Sequence, residues 1–161
     1  MFPFRIRNGK NVPTEIVLMA LTFCLVNGYI QAVYQVNPCI PRLQSWLYDP
    51  RFLLGMILFI AGIAINWHAD AILRNLRADG SPGYKIPHGG MFEYVSGANY
   101  FGECVEWIGY ACLCWNLGGT AFCLFTIANI GPRAWKHHLW YKSTFGEEYP
   151  QTRKAIIPFI L

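Results

Sequence analysis

Three long stretches of this sequence contain no Asp, Glu, Lys or Arg. They cover residues 16–41, 52–69 and 107–132, which is 26, 18 and 26 residues. A bilayer core needs about 20 apolar residues at a rise of about 1.5 Å each. Only 14% of the chain is charged, against about 25% in an average soluble domain. The sequence therefore predicts an all-α, polytopic membrane protein and excludes a disordered chain.

The uncharged stretches predict about four transmembrane helices in a single domain that covers residues 1–161. We place these helices at residues 14–34, 52–76, 99–115 and 119–141. The third stretch is interrupted by Asn116-Leu117-Gly118-Gly119. This interruption favours two helices joined by a tight turn, and the alternative is one long, tilted helix.

The distribution of positive charge supports four spans. In this topology the N-terminus, the loop around residues 77–98 and the C-terminus share one side, which holds 11 of the 13 Lys and Arg residues; the other side holds Arg42 and Arg51. Membrane proteins concentrate Lys and Arg in their cytosolic loops, so we expect both termini to be cytosolic. The net charge of +4 is small and scattered, and we expect no nucleic-acid partner.

Polar side chains recur along one face of three predicted helices, close to their cytosolic ends. They are Asn66, Asp70, Arg74 and Arg77 on the second helix, Asn99, Glu103 and Glu106 on the third, and Arg133, His137 and Tyr141 on the fourth. In one interpretation they only pair with one another, Asp70 with Arg74, and Glu103 or Glu106 with Arg133. Ionisable groups in spans are costly and mark functional sites, so three such faces favour a ligand site.

The residue types at this end favour an anionic cofactor that carries rings. Arginines bind phosphate in a bidentate manner, and tyrosines such as Tyr84, Tyr94 and Tyr141 can stack on rings. The glycine-rich loop at residues 78–98 would allow the backbone to approach a ligand closely. Neither GxGxxG nor GxxxxGK[ST] occurs, which excludes a Rossmann or P-loop site. His137-His138 lacks partners at metal-ligand spacing, and we predict no metal.

Four blocks carry a resemblance to a known family. They read NWHADAILRNLR at 66–77, GYKIPHGGMFEYVSGANYFGE at 83–103, EWIGY at 106–110 and EYPQTRKAIIPF at 148–159. In this order they resemble the steroid 5α-reductases, and most of all the type 1 and type 2 branches. The resemblance implies an enzyme of the endoplasmic reticulum membrane that uses NADPH to reduce the C4–C5 double bond of 3-oxo-Δ4 steroids of the testosterone or progesterone type, with hydride added to C5.

The same resemblance implies a set of cofactor-binding positions. They are Asn66, Asp70, Arg77, Tyr84, Asn99, Glu103, Arg133, His137 and Tyr141, with Arg74 as a weaker candidate. The implied partners are a steroid substrate and membrane lipid. The catalytic residue stays unknown, and Glu103 and Tyr141 are candidates for supporting roles.

The chain departs from the family pattern in two places. Family members have seven helices, and this sequence resembles only the last four, so we expect the helices that hold the steroid's 3-keto group in the family to be missing. Asn8-Gly9-Lys10 stands where the family often has Gly-Arg-Pro or Gly-Lys-Pro. Two alternatives stay open: a truncated, non-catalytic membrane fragment, and a trans-2-enoyl-CoA or polyprenol reductase of the same superfamily.

Overall fold

The computed structural model describes residues 12–36, 44–76 and 83–161. This part of the chain forms four α-helices: α1 (Thr14–Val36), α2 (Pro50–Asn75), α3 (Ala98–Cys114) and α4 (Leu117–Phe145). Three short 3-10 helices lie at Gln44–Tyr48, Gly90–Glu93 and Gly146–Glu148. The all-α prediction is confirmed. The chain divides into two compact units, Met1–Pro41, which contains α1, and Arg42–Leu161, which contains the other three helices.

Two helices of the described residues are long and apolar enough to cross a membrane, judged by length and composition. They are α1, in which no residue is buried, and α2. Their bounds differ from the predicted spans by at most two residues at either end. Helix α3 is 17 residues long, and the second half of α4 carries Arg133, Lys136 and Lys142. The assignment of α3 and α4 as spans therefore stays a prediction from the charge distribution.

The break between α3 and α4 occurs at Trp115 and Asn116. Trp115 takes a left-handed conformation with φ 42°, which ends α3. Asn116 is extended, and its Oδ1 accepts a hydrogen bond of 2.8 Å from the Gly119 N–H, which caps the start of α4. The predicted division into two helices is confirmed, and the single tilted helix is wrong. The predicted fourth helix begins at residue 119, whereas α4 begins at Leu117, so that Gly118 and Gly119 lie inside its first turn.

Helices α2 and α3 pack with their backbones in direct contact. Gly55, Gly62 and Ala69 are the buried residues of α2 and lie seven residues apart, and Gly102 and Gly109 of α3 have the same spacing. A Cβ atom on Gly62 would lie 2.5 Å from the Glu106 Cα and 2.7 Å from the Gly102 carbonyl oxygen, so no side chain fits there. Gly55 meets Gly109 farther along α3, which makes the pair antiparallel. Small residues at regular spacing allow such close approach of membrane helices.

The segment after α4 returns to the loop that precedes α3. The Ser96 N–H donates to the Lys154 carbonyl at 2.8 Å, and the Lys154 N–H donates to the Tyr94 carbonyl at 2.9 Å. Phe92, Val95 and Ala98 form a small core with Ala69 of α2. The end of the chain and the glycine-rich loop are therefore fixed together at the C-terminal end of α2.

Candidate functional site

The polar faces of α2 and α3 meet directly at Asn66 and Asn99. The Asn66 side-chain amide donates a hydrogen bond of 3.2 Å to the Asn99 carbonyl oxygen. This contact depends on Gly102, since a Cβ there would lie 2.6 Å from the Asn66 backbone nitrogen. Asn66 still has its side-chain carbonyl available, and the Asn99 side chain is half-buried beside it. The pair can offer amide donors and acceptors to a ligand at this end of the helices.

Three charged side chains, one from each of α2, α3 and α4, lie near this pair. The carboxylate of Glu103 interacts electrostatically with Asp70 and with Arg133. Asp70 and Glu103 are half-buried, whereas Arg133 is exposed. Within the described residues no salt bridge joins these three groups. Asp70 also interacts electrostatically with Arg74, and the Glu103 carboxylate accepts a hydrogen bond from the Trp107 side chain. Two carboxylates and a guanidinium thus lie close enough together to take part in one site for a polar, charged ligand.

Aromatic rings continue the site along α4. Tyr84, which is 63% exposed, packs its ring edge-on against Trp140 with 4.8 Å between centroids. The Trp140 ring in turn contacts Tyr141 at 5.1 Å. His137 lies one turn earlier, and its ring packs against Tyr100 of α3 at 5.9 Å. The structure thus brings Tyr84 and Tyr141 to one aromatic group, and it joins His137 to the start of α3.

Not every predicted position can be compared with the structure. Arg77 lies outside the described residues. Tyr94 packs its ring against Phe159 at 5.4 Å, in the C-terminal segment. Among the residues that the structure describes, no three His, Cys, Asp or Glu side chains are grouped so that they could hold a metal ion.

Four buried polar residues were not selected from the sequence. Ser96, His138, Tyr149 and Arg153 are each at most 5% exposed. The sequence does contain an indication that His138 is buried, because Ile130, Ala134 and His138 follow one another at i, i+4 spacing along the buried face of α4. The other three lie outside helices, where periodicity gives no indication of burial.

Arg153 holds the glycine-rich loop against the C-terminal segment. Its Nη1 donates to the Pro87 carbonyl at 2.8 Å, and its Nη2 contacts the His88 Nδ1 at 3.2 Å. The Glu93 carboxylate lies 3.7 Å from the same Nη2. The hydrogen bond from the Gly89 N–H and the charges of Arg153 and His88 lower the pKa of Glu93. The loop therefore has a defined shape beside Tyr84, which a ligand site requires.

Comparison with known proteins identifies the family of the chain. The family model for 3-oxo-5-alpha-steroid 4-dehydrogenase matches residues 10–161. The chain belongs to the 3-oxo-5-alpha-steroid 4-dehydrogenase family. It is 51% identical to 3-oxo-5-alpha-steroid 4-dehydrogenase 1 of Homo sapiens over 99% of this chain and 61% of that protein. It is 46% identical to 3-oxo-5-alpha-steroid 4-dehydrogenase 2 of Homo sapiens over 96% of this chain and 60% of that protein.

A bovine relative is similar to the chain to nearly the same extent. The chain is 50% identical to 3-oxo-5-alpha-steroid 4-dehydrogenase 1 of Bos taurus, over 100% of this chain and 62% of that protein. The chain thus spans about three fifths of the length of these members of the 3-oxo-5-alpha-steroid 4-dehydrogenase family. The family recognised from the sequence is confirmed.

Proposed function

We propose that this chain binds NADPH and takes part in the reduction of the C4–C5 double bond of 3-oxo-Δ4 steroids. The observation that carries the proposal is the grouping of the predicted cofactor residues at one end of α2, α3 and α4. Asn66 and Asn99 are in contact there, and Glu103 interacts with both Asp70 and Arg133. The names of the relatives supply the reaction class.

The donor set fits a dinucleotide with phosphates, riboses and rings. Arg133 is an exposed guanidinium that can bind a phosphate in a bidentate manner. Asp70 and Glu103 can accept hydrogen bonds from ribose hydroxyls, and the Asn66 side chain can bind an amide. Tyr84 and Tyr141 present rings beside Trp140, where a planar ring can stack. Arg77 completes the proposed set on the evidence of the resemblance alone.

The protein's contribution to the reaction is orientation and electrostatics. When bound, NADPH supplies the hydride that adds to C5 of the steroid. Negative charge then develops on the 3-oxygen, and this charge must be met by a hydrogen-bond donor before C4 receives its proton. We assign no such donor in this chain. Glu103 and Tyr141 are proposed in supporting roles, because both lie in the group of residues that would surround the cofactor.

We also propose a setting for the protein. Helices α1 and α2 can cross a membrane by length and composition. The excess of Lys and Arg on one predicted side favours a topology with both termini of this chain in the cytosol, and the resemblance to the steroid 5α-reductases implies the endoplasmic reticulum membrane. A steroid would then reach the site from the lipid phase, and NADPH would reach it from the cytosol.

Membranes that contain these 161 residues test the proposal with two measurements. The first is NADPH binding, followed by cofactor fluorescence. The second is NADPH-dependent reduction of testosterone, progesterone or a trans-2-enoyl-CoA, followed by mass spectrometry, with empty membranes and the human type 1 relative as controls. We expect saturable NADPH binding, and formation of 5α-reduced steroid would mean that the donor for the 3-oxygen lies within this chain.

The possible outcomes separate the alternatives. NADPH binding without turnover would identify the chain as a cofactor-binding part that is not catalytic alone. Turnover of the enoyl-CoA but not of the steroids would favour the related reductases. Absence of NADPH binding would contradict the proposal.

A further inference from the structure

The hydroxyl of Ser96 lies at the centre of a buried hydrogen-bond network that joins three segments. Its Oγ is 2.5 Å from the His138 Nδ1 of α4, 2.6 Å from the Tyr149 hydroxyl and 3.1 Å from the Lys154 carbonyl oxygen. Ser96 is 4% exposed, His138 5% and Tyr149 1%. The network therefore ties the loop before α3, the middle of α4 and the C-terminal segment to one atom.

The capacity of a serine hydroxyl determines the direction of each bond. A hydroxyl can donate one hydrogen bond and accept two. The Lys154 carbonyl can only accept, so Ser96 donates to it. The Tyr149 hydroxyl and the His138 Nδ1–H must then both donate to Ser96. All three partners are satisfied in this arrangement, which assigns the Nδ1–H tautomer to His138. A fully satisfied buried network holds its members in one geometry.

The network reaches the proposed cofactor site through the ring of Tyr149. This ring stacks on that of Tyr141, with 5.4 Å between centroids and 14° between planes. The hydroxyl of Tyr149 is held by Ser96, so its ring cannot slide along Tyr141. Tyr141 lies on the exposed side of the stack in the group with Trp140 and Tyr84, where it would meet the cofactor.

We propose that Tyr149 is a positioning residue, which holds the ring of Tyr141 in the orientation that NADPH requires. This inference rests on the proposed function and extends it to a residue that touches no cofactor. The Tyr149 ring is the most nearly parallel of the rings that pack on Tyr141, since the planes of Phe145 and Trp140 lie at 23° and 67° to it. Loss of the Tyr149 ring gives Tyr141 more rotational freedom in the absence of ligand, and binding must then restrict it. The interaction free energy of an aromatic pair corresponds to a change of roughly 2- to 10-fold in a dissociation constant.

Four variants of the 161-residue chain test the inference by their dissociation constants for NADPH in nanodiscs. Tyr149→Leu removes the ring, and we expect NADPH binding to weaken by about 3- to 10-fold. Tyr149→Phe keeps the ring but loses the bond from its hydroxyl to Ser96, so we expect a smaller loss of affinity than in Tyr149→Leu, with a lower unfolding temperature. Phe159→Leu is the control, because it removes an aromatic ring that packs on a tyrosine in the C-terminal segment, and we expect no change in affinity. Tyr141→Leu is the reference for loss of the positioned ring.

The double variant distinguishes positioning from general destabilisation. If Tyr149 acts through Tyr141, adding Tyr149→Leu to Tyr141→Leu has no further effect on NADPH affinity. A full additional loss in the double variant would overturn the inference, as would unchanged affinity in a folded Tyr149→Leu. Should Tyr149→Leu fail to fold, Ser96→Ala replaces it, and unchanged affinity there would also overturn the inference.

The proposed function and the inference fail in different ways. A wild-type chain that does not bind NADPH contradicts the proposed function. A wild-type chain that binds NADPH with the same affinity as folded Tyr149→Leu contradicts the positioning role alone.

Discussion

The contact between α2 and α3 makes Gly102, which lies next to the Asn66–Asn99 pair, sensitive to a single added methyl group. A Cβ atom on Gly102 would lie 2.6 Å from the Asn66 backbone nitrogen and 3.0 Å from both the Asn66 Cα and the Gly62 carbonyl oxygen. All three neighbours are backbone atoms, so no side-chain rotation can relieve the contact. Ordinary van der Waals contact begins at 3.4 Å. The helices must therefore separate by about 0.8 Å, the difference between 3.4 and 2.6 Å.

This separation has two energetic consequences for Gly102→Ala. Overpacking of a tight core costs about 1–3 kcal/mol. The hydrogen bond from the Asn66 amide to the Asn99 carbonyl lengthens from 3.2 Å to about 4 Å, which is no longer a hydrogen bond. Its loss adds about 0.5–1.5 kcal/mol. We therefore expect destabilisation of about 1.5–4.5 kcal/mol, and the unfolding midpoint falls by about 2–4 °C per kcal/mol for a chain of this size.

Thermal unfolding in detergent, followed by circular dichroism, measures the effect. Gly28→Ala is the control, because Gly28 lies inside α1 and a Cβ there has nothing within 4 Å; alanine in a helix is favoured over glycine by about 0.5–1 kcal/mol. NADPH binding should weaken in Gly102→Ala, since Asn66 and Asn99 separate, and should not change in Gly28→Ala. A Gly102→Ala protein that melts and binds NADPH like Gly28→Ala would refute the close packing described above.

Three further substitutions probe charge. Arg133→Ala should weaken NADPH binding by about 1.5–3 kcal/mol through loss of a charged hydrogen bond. Lys136 is an exposed cation three residues away, so Lys136→Ala should leave NADPH binding unchanged. Equal titration curves for the two variants would count against a phosphate contact of Arg133. Arg153→Met should lower stability by about 1.5–3 kcal/mol, because the buried Pro87 carbonyl loses its charged donor, and limited proteolysis should then cut residues 83–97 sooner than in wild type. The pKa of Glu93 is lowered in the folded chain, so its stabilising effect is present above the ordinary glutamate pKa and is lost as pH falls through the folded value. Melting curves of Glu93→Gln should therefore depend less on acidic pH than those of wild type, and parallel curves would contradict this assignment.

Much of the fold follows from patterns that are local in the sequence. The predicted spans at residues 14–34 and 52–76 agree with α1 and α2 to within two residues at either end, because a membrane helix needs a continuous apolar stretch. The break between α3 and α4 was predicted from the glycines at 118 and 119, yet it occurs at Trp115 and Asn116. The side chain of Asn116 caps α4, and this capping preference outweighs the low helix propensity of the glycines.

The site was predictable only in part, for a physical reason. Helical periodicity groups Asn66 with Asp70, and Asn99 with Glu103, because each pair lies on one face of one helix. The buried network could not be found in this way. Ser96 contacts His138 across 42 positions and Tyr149 across 53, and Arg153 reaches Pro87 across 66. No short-range pattern encodes such contacts, since they depend on how the C-terminal segment folds back.

The backbone contact between α2 and α3 also determines which parts of this unit can move. Two helices whose peptide groups touch cannot slide past each other, since each step would bring a Cβ into a carbonyl oxygen. The contact of α3 with α4 is of another kind: at Gly119 the nearest atom is a side-chain atom of Cys114, at 3.1 Å from an ideal Cβ. Side chains can change rotamer, so the first turn of α4 can adjust against α3, whereas α2 and α3 must move as one unit. Amide hydrogen exchange should therefore be slower along the contact between α2 and α3 than in the first turns of α4.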